Sequence, residues 1–139
     1  YLAQLDDLQR YMDQQFATLP VDRRKLVTNH DSLGYLADAY DFELIGTVIP
    51  SLSTAADPSA AGLADLIDKM RQVGICTLFT ETSVSTRLAD AVAAELDYCP
   101  TVQVVALYTG ALGAPGSDAD STIGMLRSNV DAIVSALRE

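Results

Sequence analysis

With 139 residues, 49% of them apolar and 20% charged, the chain has the length and composition to bury one domain's core, which excludes a disordered segment. A net charge of −10 excludes a surface built to neutralise phosphates, so no nucleic-acid partner is expected; the only basic cluster is Arg23, Arg24 and Lys25. No apolar run approaches the roughly 20 residues that a membrane-spanning helix needs.

The chain opens as "YLAQLDDLQRYMDQQF", with Leu2, Leu5, Leu8, Met12 and Phe16 spaced as one helical stripe that Pro20 closes. It starts in mid-helix with no initiator Met, which reads as a piece of a longer protein or a processed chain. "KLVTN" (Lys25 to Asn29) reads as a short strand. "DSLGYLADAYDF" then reads as a helix with Leu33, Leu36, Ala37 and Tyr40 on one face and Asp31 as its N-cap or first-turn acid. "ELIGTVIP" (Glu43 to Pro50) is the second strand, followed by the loop "SLSTAADPSAAG". Asp57 is the expected N-cap of the next helix and Pro58 its first residue; Leu63, Leu66, Ile67 and Met70 face inward and Gly74 ends it. "ICTLFTE" is the third strand, "SVSTRLADAVAAELDY" a helix and "TVQVVALY" the fourth strand. The loop "TGALGAPGSDADS" leads into a last helix with Ile123, Leu126, Val130, Ile133, Val134 and Leu137 inward, and Asp118 and Asp120 are expected to cap it.

Four strand–helix alternations imply an α/β fold, a four-stranded parallel sheet with helices on both faces, because parallel strands need crossover connections. In such sheets ligands bind outside the carboxyl ends of the strands. The residues leaving the first, third and fourth strands are "TNHD", "TETS" and "YTGA", so His30 and Glu81 should share one rim. Cys76 and Cys99 come at strand starts and belong to the opposite rim.

His30 is the only histidine. It reads either as a loop imidazole bonded to nearby backbone or as a metal ligand or general acid/base. Glu81 reads as a partner of Arg87, as a cap of the following helix, or as an acid–base partner of His30. The two cysteines read as structural, either as buried thiols or as a disulfide, since they lack zinc-site or redox spacing. One His and one Glu do not make a zinc site, and "GALGAPG" has no Lys after it to make a phosphate loop.

"LVTNHDSLGYLADAY", the strand ending in Phe-x-Glu with Arg just beyond, "LYTGALG" and "MLRSNVDAIVSAL" together resemble the metal-specific, zinc- and manganese-type solute-binding proteins of ABC transporters. The resemblance is to their C-terminal lobe and covers essentially the whole chain. It implies that residues 1–19 are the end of the long helix linking two lobes. Residues 20–139 are then the C-terminal metal-binding lobe, with the N-terminal lobe outside this chain. It implies capture of a transition metal between the lobes for delivery to an ABC transporter permease, without catalysis, by a protein of the periplasm or cell surface, as a membrane-anchored lipoprotein or free. His30 matches the first ligand position of that lobe; histidine there is the zinc-type pattern, whereas manganese-type members often carry Glu. Zn2+ is therefore the implied cargo ahead of Mn2+, with Glu81 as outer-sphere partner or weak fourth ligand. The departure is at Gly110, where many members carry an aspartate ligand; Asp118 or Asp120 would be weaker substitutes. The resemblance further implies weak or absent zinc binding by this lobe alone, self-association through the exposed linker helix, and an oxidising compartment that favours a Cys76–Cys99 disulfide. Two other readings stand beside it: a small α/β acid–base enzyme using His30 and Glu81, and a partner-binding or adhesion module that has lost the metal.

Overall fold

The computed structural model describes residues 1–49, 59–82 and 86–138. In chain order its elements are α1 (Leu2–Ala17), a 3-10 turn (Val21–Arg23), β1 (Lys25–Thr28), α2 (Gly34–Ala39), β2 (Glu43–Thr47) and α3 (Ala60–Val73). β3 (Thr77–Glu81), α4 (Arg87–Ala94), β4 (Gln103–Leu107) and α5 (Thr122–Arg138) follow. The four strands form one parallel sheet in the order β2-β1-β3-β4. The expected α/β architecture is thus the observed one.

Alternation along each strand sorts the core into two layers. Leu26 and Phe79 face one side, where they pack with Phe16, Leu19, Ala37, Val130 and Ile133 from α1, α2 and α5. Their neighbours Val27 and Leu78 face the other, against Leu66, Met70, Val92 and Leu96 from α3 and α4. α1 lies along α5 and buries Leu8 and Phe16, while Leu2 at its start remains 78% exposed.

Helix starts are where the structure corrects the sequence reading. Leu33, not Asp31, precedes α2, with no side-chain cap. The intervening residues make a turn in which the hydroxyls of Thr28 and Ser32 both donate to the His30 carbonyl. Asp31 Oδ1 lies near Gly34, the first residue of α2, but Leu33 holds the cap position. α3 is capped by Ser59, whose hydroxyl accepts from the Gly62 N–H at 3.0 Å; Asp57 and Pro58 lie outside the described residues. At the start of α5 the Ser121 hydroxyl oxygen, not Asp118 or Asp120, accepts from the Gly124 N–H at 3.1 Å. A cap must stand directly before the first turn, and Asp120 is instead engaged by the Gly116 N–H of its own loop at 3.0 Å. Gly74 ends α3 in the left-handed conformation, as expected.

The loop before α5 folds so tightly over the helix start that a Cβ on Gly124 would stand 2.1 Å from the Asp118 carbonyl oxygen. Gly124→Ala should therefore cost about 1–3 kcal/mol despite alanine's better helix propensity. A thermal melt no lower than wild type would contradict that packing.

Cys76, just ahead of β3, and Cys99, ahead of β4, are joined in a disulfide with a Cα separation of 5.8 Å. The choice that the sequence left open is settled for the bridge, at the rim opposite His30.

Candidate metal centre

Helices on opposite faces leave the chain to run from β1 outward to β2, then back past β1 to β3. The sheet thus reverses its strand order between β1 and β3, and that switch point is where open α/β sheets form a crevice. His30 follows β1 and Glu81 ends β3, so the two residues stand on either side of it.

The backbone under His30 is tied to both neighbours. The Asn29 N–H donates to the Phe79 carbonyl at 2.9 Å, and the Asn29 carbonyl accepts from the Ile49 N–H at 2.7 Å. With its own carbonyl held by Thr28 at 2.9 Å, His30 sits on a fixed platform rather than a free loop. Glu81 is paired with Leu107 in the β3–β4 register and its side chain is 7% exposed, against 19% for His30.

His30 Nδ1 and Glu81 Oε1 are 3.1 Å apart. Yet neither buried atom completes a well-directed hydrogen bond. They are close but misaligned. Asn29 Oδ1 and Thr80 Oγ1, next to them in sequence, are buried and unpaired as well. Each such buried polar atom calls for a partner or a role. They lie at the exits of β1 and β3.

With Nδ1 turned to a carboxylate, Nε2 is the nitrogen left for a cation. Metal-bound histidines usually have this arrangement, donating the second N–H to a carboxylate that fixes the tautomer and raises the basicity of the ligand. The donor set fits a borderline metal, but incompletely: among the described residues no group of three or more His, Cys, Asp and Glu side chains could hold an ion. Gly110, exposed beyond β4, adds no side chain, and Asp118 and Asp120 are both exposed, with Asp120 engaged by Gly116. The sequence reading joined His30 and Glu81 correctly. It missed Asn29, Thr80 and Asn129, whose buried polar side chains surround the strand exits.

A groove of about 510 Å3 runs beside α2 past Asp31, Tyr35, Asp38 and Phe42 without including His30 or Glu81. Under the rim itself there is only a narrow cavity lined by Thr28, Asn29, Thr80, Glu81 and Thr109.

The zinc-binding protein TroA of Treponema pallidum is 36% identical over 142 residues, covering 99% of this chain and 44% of TroA. The manganese-binding lipoprotein MntA of Bacillus subtilis is 31% identical over 141 residues, covering 99% of this chain and 45% of MntA. The solved structure of periplasmic zinc-binding TroA from Treponema pallidum superposes with a TM-score of 0.85 at 32% identity, over 97% of this chain and 49% of that one. The chain therefore spans a little under half the length of the curated relatives it matches. Residues 1–136 match the family described as ZnuA, zinc-uptake complex component A, periplasmic, and the chain belongs to that family.

Proposed function

We propose that the chain is one lobe of an extracytoplasmic solute-binding protein that captures a transition metal, zinc, against His30 and passes it to an ABC importer's permease. The carrying observation is the His30–Glu81 pair at the switch point, with Nδ1 facing the carboxylate and Nε2 left for the ion. Two facts support a second lobe as the far wall: relatives about twice as long, and too few donors among the described residues of the rim. His30 is the imidazole such a site needs, and imidazole suits zinc better than it suits manganese. Among the relatives one is named for zinc and another for manganese, so selectivity is the finer part of the reading. The acid–base enzyme has no counterpart among relatives named for metal binding. No described helix is long and apolar enough to cross a membrane.

The test is competition calorimetry on the two-lobe protein with zinc and manganese. Tight one-to-one zinc binding that manganese does not displace is the expected outcome. No binding of either ion would instead favour a partner-binding or adhesion module.

Glu81→Gln should lower zinc affinity about 10–100-fold, the usual effect of an outer-sphere partner. Gln keeps the volume but accepts the Nδ1 proton more weakly and carries no charge. Wild-type affinity in that variant would remove Glu81 from the centre. The lobe alone should bind zinc weakly and self-associate through the exposed Tyr1 and Leu2 end of α1. Concentration-independent light scattering would contradict the second expectation.

A further inference from the structure

We propose that Asn129, on α5, is a positioning residue of this centre: its carboxamide fixes the exit of β4 so that Thr109 closes beside Glu81, the partner of His30. The inference rests on the zinc-capture reading for its function but not for its geometry.

β4 is an edge strand. Along a strand the backbone N–H and C=O groups of successive residues point alternately to the two sides. The Leu107 carbonyl turns toward β3, where it accepts from the Thr82 N–H at 3.0 Å. Tyr108 must therefore turn its N–H and C=O the other way, toward the open edge, where no strand waits. Asn129 supplies both missing bonds. Its Oδ1 accepts from the Tyr108 N–H at 2.8 Å, and its Nδ2 donates to the Tyr108 carbonyl at 2.7 Å. One side chain thus replaces one step of a neighbouring strand.

The location of these two bonds is what ties Asn129 to the rim. Asn129 is 7% exposed and is followed by the buried Val130, Ile133 and Val134. Asparagine is a weak helix former and its burial must be compensated. The compensation goes to a single point, the residue just after β4. The next residue, Thr109, lines the same narrow cavity as Thr28, Asn29, Thr80 and Glu81. Asn129 therefore sets the third side of the rim, whose other two sides are the exits of β1 and β3.

The test has two readouts. In the metal-free protein, amide hydrogen exchange compares Tyr108 and Thr109 with Phe79, at the centre of the sheet. Asn129→Ala and the volume-filling Asn129→Leu should speed exchange at the first two about tenfold relative to Phe79. The leucine variant guards against simple failure to fold. In the two-lobe protein, both variants should lower zinc affinity about tenfold and alter the visible absorption of bound cobalt, which reports ligand geometry.

Exchange at Tyr108 that merely tracks Phe79 overturns the proposal. So does zinc binding that is lost on His30→Ala but unchanged in both Asn129 variants; that result leaves metal capture standing. A wild-type protein that binds no zinc removes the capture reading, and the exchange ratio then decides alone whether Asn129 fixes the exit of β4.

Discussion

Replacing His30 with alanine in the two-lobe protein is expected to weaken zinc binding by more than about 100-fold, beyond the range of an outer-sphere partner. Zinc draws on three or four protein ligands, and His30 is the only imidazole this chain contains. Its loss also strands Glu81 Oε1, a buried carboxylate oxygen that already lacks a well-directed hydrogen bond. The variant should still fold, because the platform beneath His30 is made of backbone bonds from Asn29 and a hydroxyl bond to the His30 carbonyl, none of which involves the ring. Calorimetry on His30→Ala beside Glu81→Gln separates the roles: the histidine effect should be the larger. Equal losses would mean that Glu81 is itself a ligand.

Breaking the Cys76–Cys99 bridge should have the largest effect on stability. It closes a segment with a sequence separation of 23 residues. The loop-closure entropy restored to the unfolded chain corresponds to about 3 kcal/mol, and a melting midpoint lower by on the order of 10 °C follows for a chain of this size. A Cys76→Ser/Cys99→Ser variant, melted with and without reductant beside wild type, reads this directly. The wild-type curve should fall onto the variant's when reductant is present. The bridge ties the start of β3 to the approach of β4, at the rim opposite Glu81. Zinc affinity of the folded variant should therefore stay at the wild-type level. An unchanged melting point would mean that the bridge closes without constraining the unfolded chain.

The strand–helix alternation was legible because each element carries its own signal: Leu26 and Val27, or Leu78 and Phe79, are apolar on both faces of buried strands, and Leu63, Leu66 and Met70 recur at helical spacing. Placing His30 and Glu81 on one rim needed only the polarity of parallel strands. Their actual neighbourhood needed the strand order, and nothing local dictates that β3 returns to the far side of β1. Helix starts were read too acidic. Asp31, Asp118 and Asp120 are good capping types, but Ser121 stands one residue closer to its helix and wins, and the turn after His30 displaces α2 to Gly34. Asn129 was invisible for another reason. It sits inside a helical stripe, and its partner, Tyr108, is 21 residues away.

The central claim is that His30 ligates a metal shared with a second lobe. A crystal structure of the zinc-loaded two-lobe protein tests it most directly. The account predicts zinc at about 2.0–2.1 Å from His30 Nε2, with Nδ1 donating to Glu81 and the remaining protein ligands drawn mainly from the other lobe. Zinc bound elsewhere, or held wholly by the other lobe with the His30 ring turned away, would contradict it.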